Sequence, residues 1–158
     1  MQGVNIARAT TADAAEILAL QRLAYQSEAE LYGDWSIPPL TQTLSSLEAE
    51  FADTVFLKAE IHGRLVGSVR AKISAGRCAI GRLIVHPDFQ RQGIGGRLLQ
   101  EIEAAFSQAV TYELFTGSKS AANLRLYEKH GYAVSRTQAL SPLVKLVYLE
   151  KRSRDSTR

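Results

Sequence analysis

The sequence predicts an α/β protein of the α+β kind, a single domain with a mixed, mostly antiparallel central sheet of about seven strands flanked by about four helices. Two patterns carry this prediction. Residues 54–85 contain three apolar runs separated by short turns around Gly63 and Gly76, which is typical of an antiparallel meander. Residues 77–116 then read as strand, helix and strand, which favours a parallel pair. A chain of 158 residues is long enough to bury one core.

Each element has its own signal along the chain. The predicted strands are 4–9, 54–61, 65–73, 77–85, 111–116, 132–136 and 143–150. The predicted helices are 12–25, 40–51, 94–106 and 121–130. Thr10 and Asp13 have the spacing of a capping box before the first helix, and Gly131 follows the last helix as a C-terminal glycine does. Residues 117–120 are predicted to be a turn that caps that helix, and residues 27–39 break the helical pattern.

The stretch 83–100 is the most informative part of the chain. Residues 83–85 are a short apolar run that suits a buried strand, and residues 86–92 are a polar break. Glycines at 93, 95 and 96 then lead into an amphipathic helix, and such a turn presents unpaired N–H groups at the positive end of the helix dipole. Because Arg91 and Arg97 add positive charge, the stretch predicts an anion site, most simply for a pyrophosphate.

The glycine turn does not fit two well-known phosphate loops. Leu98 stands where a dinucleotide fingerprint needs its third glycine, and no Gly-Lys pair follows as a Walker loop requires. Residues 90–96, QRQGIGG, instead resemble the [QR]-x-x-G-x-[GA] loop of the GCN5-related N-acetyltransferases (GNAT), and the preceding Val-His-Pro at 85–87 resembles their V-x-P. Residues 123–132, NLRLYEKHGY, resemble the family's N-x-x-x-Y-x-x-x-G-[FY] pattern, so the resemblance covers most of the chain.

The resemblance implies the GNAT fold for residues 1–150, acetyl-CoA as co-substrate and no metal. In that fold the strands at 83–85 and 111–116 splay apart and the pantetheine arm lies between them. Gly81 is expected to mark the associated bulge, because a lone glycine in a strand often does. The implied cofactor-binding residues are Leu83, Ile84, Val85, Gln90, Arg91, Gln92, Gly93, Ile94, Gly95, Gly96, Asn123 and Tyr127.

The implied reaction is direct attack of a neutral amine on the acetyl thioester, which needs an oxyanion donor, a general base and a general acid. The oxyanion donor is expected among the backbone N–H groups near Ile84 or Val85. Tyr127 matches the position of the family's general acid, or it only packs against the sulfur end of the cofactor. Asn123 either bonds the pantetheine chain or caps its helix.

The general base is where this chain departs from the better-understood members of the family. Many carry a glutamate two or three residues before the central L-x-V, but residues 80–82 here are Ile, Gly and Arg. His86 is a candidate, although the middle position of V-x-P is commonly a histidine that serves loop structure. The other candidates lie in the segment that covers the acceptor site in this family: Tyr25, Glu28, Glu30 and Tyr32.

The acceptor is predicted to be a small-molecule or peptide amine. Acidic residues are frequent in the first part of the chain and favour a cationic acceptor; they are Asp13, Glu16, Glu28, Glu30 and Asp34. A second hypothesis is a non-catalytic CoA-binding or sensing module of the same fold. The absent strand carboxylate leaves that hypothesis open.

Composition argues against several other functions. The net charge is +3, but residues 151–158 contribute four positive and one negative side chain, so the body is neutral and gives no reason to expect nucleic acid as a partner. That basic tail is predicted to be flexible. No apolar stretch approaches the ~20 residues of a membrane span and no leader pattern is visible, which predicts a cytoplasmic protein without a membrane partner.

Cysteine and histidine usage adds little chemistry. The single cysteine, Cys78, lies in an apolar run and is predicted to be a buried structural thiol. The three histidines lack metal-ligand spacing, and His62 and His130 are predicted to be surface residues. The sequence leaves a homodimer open.

Overall fold

Seven strands form one mixed sheet in the computed structural model, which describes residues 3–153 of the chain. The strands are β1 Val4–Arg8, β2 Val55–Ile61, β3 Arg64–Ser74, β4 Arg77–Val85, β5 Thr111–Gly117, β6 Ala133–Ala139 and β7 Lys145–Arg152. Their order across the sheet is β1-β2-β3-β4-β5-β7-β6. Every neighbouring pair is antiparallel except β4 and β5, which are parallel. The prediction of a mixed, mostly antiparallel sheet is confirmed.

Helices cover both faces of this sheet. The α-helices are α1 Ala14–Ala24, α2 Gln26–Tyr32, α3 Pro38–Thr41, α4 Leu44–Glu50, α5 Ile94–Ala105 and α6 Ala121–Lys129. Successive strand residues face opposite sides of a sheet. Accordingly Leu65 packs with α1 and α4, whereas its neighbour Val66 packs with α5. The sheet therefore separates two apolar cores.

Two elements differ from the sequence prediction between residues 26 and 51. Residues 26–32, of which 27–32 were expected to lie outside regular structure, form α2, which ends at Gly33 in the left-handed conformation (φ 64°). The single helix predicted at 40–51 is divided into α3 and α4, because Thr43 is extended and its hydroxyl accepts the N–H of Ser46 at 3.2 Å, which starts a new helix.

The C-terminal strand runs past the predicted end of the domain at 150. Lys151 is paired with Glu103 of α5, with 2.9 Å between Nζ and Oε1, and the Ser153 N–H donates to the Val110 carbonyl. Residues 151–153 are therefore part of the folded sheet region rather than of a tail. The remainder of the predicted tail, 154–158, lies outside the described residues.

Cys78 lies in the core between β4 and α5, where it is fully buried. Burial raises the pKa of its thiol to about 12. The group therefore stays protonated at neutral pH, and the prediction of a structural thiol is confirmed.

Within residues 3–153, no helix is long and apolar enough to cross a membrane.

Candidate active site

The parallel strands β4 and β5 are paired only at one end. The register joins Arg77 to Thr111, Cys78 to Tyr112 and Ala79 to Glu113, and no later pair between these strands is present in the described residues. Beyond that point the two strands enclose a gap. The splay that the resemblance implied is therefore present in this chain.

A bulge in β4 accompanies the divergence. The β3–β4 register pairs Arg70 with Gly81 and Ser68 with Ile84, so that two residues of β4, Arg82 and Leu83, lie opposite one residue of β3. The residue in the left-handed conformation is Arg82 (φ 49°). The bulge expected at Gly81 thus lies one residue further along, because Gly81 itself keeps its pair with Arg70.

The gap contains a cavity of about 250 Å³. Its floor is formed by the separated ends of β4 and β5, and α2, α3, α6 and the segment leading into β7 close it. The residues that line it are Tyr25, Glu28, Tyr32, Ile37, Pro38, Pro39, Ile80, Gly81, Arg82, Leu83, Leu114, Phe115, Thr116, Gly117, Asn123, Tyr127, Leu140, Val144, Leu146 and Tyr148. We call this space the transfer cavity.

A second cavity of about 430 Å³ lies over the glycine turn. It shares Tyr25, Glu28, Leu83 and Asn123 with the transfer cavity, so the two cavities adjoin each other. Ten of the twelve predicted cofactor-binding residues line it: Leu83, Ile84, Val85, Gln90, Arg91, Gly93, Ile94, Gly95, Gly96 and Asn123. Tyr127 lines the transfer cavity instead, and Gln92 is exposed and lines neither of the two cavities.

The three glycines of the turn have different structural reasons. Gly93 is the N-terminal cap of α5 and needs its left-handed backbone (φ 80°). A side chain on Gly96 would meet the His130 ring at 3.2 Å, whereas one on Gly95 would meet only ordinary contacts, 3.5 Å from Leu126. The protein itself therefore has room for a small side chain at Gly95, so packing within the protein does not require this glycine.

His130 is not the surface residue that the sequence predicted. It is half-buried, and its Nδ1 lies 2.9 Å from the Leu126 carbonyl while its ring covers Gly96. The glycine at position 96 was the feature of the sequence that could have indicated this close packing. His130 thereby fixes the end of α6 against the first turn of α5.

Tyr127 lies in α6 with 5% of its surface exposed, at the wall of the transfer cavity. Burial raises the pKa of its phenol, and the nearby Tyr25 and Glu28 raise it further. The hydroxyl therefore stays protonated at neutral pH, which is the form that a proton donor requires.

Glu28 of α2 is the only carboxylate among the described residues that lines the transfer cavity. It accepts a hydrogen bond from the Ser120 hydroxyl. Ser120 occupies the N-cap position of α6 but makes no side-chain capping bond, contrary to the prediction for residues 117–120. Tyr32 of α2 also contacts the turn before α6, because its hydroxyl accepts the Lys119 N–H at 2.7 Å.

The other acidic residues of this half lie elsewhere. Asp13 binds Lys58 at 3.0 Å, and Asp34 accepts the Ser36 N–H at 2.9 Å. Glu16 and Glu30 are exposed. Of the five acidic residues that favoured a cationic acceptor, only Glu28 therefore lines the transfer cavity among the described residues.

His86 and Asn123 have structural partners. His86 Nδ1 accepts the Asp88 N–H at 3.0 Å, and the ring lines neither of the two cavities in the described part of the chain. The Asn123 amide donates to the Thr116 hydroxyl at 3.1 Å, which ties α6 to the end of β5. Since Ser120 holds the cap position, the capping alternative for Asn123 is wrong, and its contact with pantetheine stays a prediction.

Arg82 is the site residue that sequence reasoning passed over, because it was noted only as a position without a carboxylate. Its side chain is half-buried at the wall of the transfer cavity, and its Nε is buried without a hydrogen-bond partner among residues 3–153. Burial raises the pKa of the adjacent Tyr25 phenol, and the charge of Arg82 opposes that rise. In the same described residues, no group of three or more His, Cys, Asp or Glu side chains could hold a metal ion.

Comparison with known proteins gives a consistent result. The model of the acetyltransferase (GNAT) family matches residues 16–132. The chain is 32% identical over 124 residues to UPF0157 protein YqkA of Bacillus subtilis (strain 168). That match covers 78% of this chain and 36% of YqkA, so the chain spans about a third of that relative.

Two solved structures share the architecture. The PaiA N-acetyltransferase of Thermoplasma acidophilum, in complex with coenzyme A, superposes with a TM-score of 0.78 at 19% identity, over 96% of this chain and 99% of that one. The ribosomal-protein-S18-alanine N-acetyltransferase of Escherichia coli gives 0.79 at 15% identity, over 95% and 94%. At these identities the likeness concerns the fold.

Proposed function

Since the chain belongs to the GNAT family of acetyltransferases, we propose that it transfers the acetyl group of acetyl-CoA to a primary amine by direct attack in a ternary complex. The observation that supports this most is the splayed end of β4 and β5. It brings Tyr127 and Glu28 to one cavity, which adjoins the cavity over the glycine turn. A cavity with two proton-transfer groups and an anion site at one end suits acyl transfer from a phosphate-bearing thioester.

The cofactor is proposed to lie along the two adjoining cavities. Its pyrophosphate would bind the N–H groups of the first turn of α5, whose N-terminus has no side-chain cap. The pantetheine arm would lie between β4 and β5, where neither strand has its parallel partner. The backbone N–H near Ile84 or Val85 would then face the developing oxyanion.

Glu28 is the proposed general base. The ammonium of the acceptor gives a proton to this carboxylate, directly or through one water, and the neutral nitrogen attacks the acetyl carbonyl carbon. When the C–S bond breaks, Tyr127 donates its phenolic proton to the leaving thiolate. After the attack the nitrogen still carries one extra proton, which it loses to solvent. Free CoA and the neutral amide leave, and the proton on Glu28 returns to the Tyr127 oxygen through solvent.

The proposal is tested by release of the CoA thiol from acetyl-CoA with a panel of primary amines. Glu28→Gln retains an acceptor for the Ser120 hydroxyl but cannot take a proton, and kcat should fall by ~10²–10⁴ while acetyl-CoA affinity stays unchanged. Glu30→Gln is the matched control, because Glu30 is on the same helix and is exposed. If the protein binds acetyl-CoA but releases no CoA thiol with any of the amines, the sensing module is favoured instead.

A further inference from the structure

The charge pattern of the transfer cavity identifies the class of acceptor, on the premise that the proposed function holds. We infer that the acceptor is a small zwitterion, an α-amino acid with an apolar side chain, whose carboxylate is bound by Arg82 while its amine faces Glu28. Such an acceptor differs from a simple cationic amine in carrying a carboxylate as well. This inference makes Arg82 a specificity-determining residue.

Arg82 has hydrogen-bonding capacity that the described chain does not use. A guanidinium carries five N–H donors, and the neighbouring Tyr25 hydroxyl can accept only part of them. The Nε of Arg82 is buried and has no partner among the described residues, so the protein does not satisfy the whole guanidinium, and a ligand would meet the part of Arg82 that lines the transfer cavity. A planar carboxylate is the group that fits such a fork, since it accepts two parallel N–H bonds.

The second arginine in this region cannot take over that role. Arg70, which lies beside β4 in the sheet, is 6% exposed and ion-paired to Glu50, with 2.9 Å between Nη1 and Oε2. It also donates to the Gln21 side chain. Arg70 is therefore neutralised within the protein, whereas no ion pair within 4.0 Å involves Arg82 among residues 3–153.

The unpaired charges in the cavity wall are of opposite sign. Glu28 and Arg82 both line the transfer cavity, and they form no ion pair with each other. The arm of the cofactor proposed to occupy this gap is uncharged, because the phosphates of CoA belong at the glycine turn. The two charges are thus left for the acceptor, which must carry one of each sign.

The rest of the cavity limits the acceptor's size and surface. A volume of about 250 Å³ is below the 300–1,000 Å³ usual for drug-sized ligands, and the proposed cofactor arm takes part of it, so only a small acceptor fits beside that arm. The walls away from the two charges are mostly apolar or aromatic, and include Ile37, Pro39, Leu140, Val144 and Tyr148. An apolar side chain on the amino acid would bury against them.

The test compares acceptors that differ only in the carboxylate. L-Phenylalanine is assayed against phenethylamine and L-leucine against isoamylamine, by CoA thiol release. We expect kcat/KM to be about 10- to 100-fold higher for each amino acid, the range for a hydrogen bond to a charged group. Arg82→Gln should abolish that preference by lowering kcat/KM for the amino acids alone, and Arg82→Lys should restore part of it. Acetyl-CoA affinity, measured by calorimetry, should not change.

The control is Arg8→Gln, which removes the same charge from an exposed position in β1 at the far edge of the sheet. Equal or faster turnover of the amines that lack the carboxylate would overturn the inference and leave the proposed function intact. An equal loss for both acceptor classes in Arg82→Gln would also overturn it, since Arg82 would then only support the bulge. If no acceptor, amino acid or amine, supports thiol release, the proposed function and this inference are both wrong. If Arg82→Gln has a lower melting temperature than the wild type, the inference is judged from the two acceptor pairs in the wild type and in Arg82→Lys.

Discussion

The two ends of the β4–β5 pair differ in whether their backbones are hydrogen-bonded to each other. At the closed end, Arg77–Ala79 pairs with Thr111–Glu113, and Arg77 bridges Glu113 and Glu150 on the surface. At the open end the strands are parted by the bulge at Arg82, and the space between them is the transfer cavity. The paired residues at the closed end hold the two strands together, and this fixes the distance between the strands at the open end.

The difference shows where the binding capacity of the open end comes from. A strand that leaves its neighbour keeps N–H and C=O groups that require partners, and a polar chain lying in the gap can supply them. The closed end contributes no such group, because its backbone is paired and its side chains Cys78 and Tyr112 are in the core. Changes at the open end should therefore affect chemistry, and changes at the closed end should affect only stability.

The largest expected effect is that of Tyr127→Phe at the open end. If Tyr127 protonates the thiolate, kcat and kcat/KM should fall together by ~10²–10⁴ while acetyl-CoA affinity is nearly unchanged. If it only packs, the rate should barely move, because the ring remains. The measurement is steady-state thiol release, with a burst experiment to establish that chemistry limits the rate.

The pH dependence of the wild type sharpens this test. The donor must be protonated, and burial raises the pKa of Tyr127, so its deprotonation is shifted above the ~10 of an ordinary phenol. The alkaline loss of rate due to Tyr127 should therefore begin only above about pH 10. A loss near pH 9 that persists in Tyr127→Phe would assign that limb to another group.

The second effect is on the cofactor, through Gly95→Asp. A carboxylate at the second position of α5 is favourable for the free helix because it faces the positive end of the dipole, so the fold should persist. The same charge opposes a pyrophosphate by several kcal/mol, which corresponds to a loss of about 10²–10³-fold in acetyl-CoA affinity. Calorimetry is the measurement. Gly95→Ala is the control and should bind nearly as well, since a side chain there meets only ordinary contacts.

Much of the fold could be predicted from the sequence because it depends on local patterns. The glycine turn, the amphipathic α5 and the strand runs are each coded within a short window, and the seven strands were expected near their observed places. The segment 26–51 was harder. Its helices α2 and α3 are short, and α2 packs through Ala29 and Tyr32 against residues far along the chain, such as Val144.

The candidate site was predicted in part for the same reason. The contacts that bring Glu28 to Ser120, and Arg82 to Tyr25, join residues far apart in sequence, and spacing carries no signal for them. His130 and Gly96 are likewise a tertiary pair, so that His130 was expected at the surface. The sequence did indicate Tyr127 and the glycine turn, because both lie in recognisable motifs, whereas Glu28 was only one of several candidates for the base.

The third effect concerns how the open end is closed. A side chain on Gly117 would overlap the Tyr32 hydroxyl and ring, so Gly117→Ala must displace Tyr32 and with it the bond from the Lys119 N–H. We expect the free energy of unfolding to fall by about 1–3 kcal/mol, and kcat to fall because Glu28 is carried by the same helix. Thermal melting beside thiol release measures both. Gly81→Ala, across the gap, has no heavy atom within 4 Å of the added carbon and should melt like the wild type.

The smallest effect is predicted for Arg77→Gln at the closed end. Arg77 is 45% exposed in its side chain and donates from Nε to Glu113 at 2.8 Å. Exposed ion pairs contribute about 0–1 kcal/mol, although the change also leaves Glu113 and Glu150 as like charges opposite each other in the β5–β7 register. The melting temperature should therefore fall by no more than about 2–4 °C, and less at high salt. Thiol release should be unchanged, in contrast to Arg82→Gln at the other end of the same strand. A lower kcat in Arg77→Gln at an unchanged melting temperature would mean that the closed end adjusts the gap, and the separation of the two ends into stability and chemistry would be wrong.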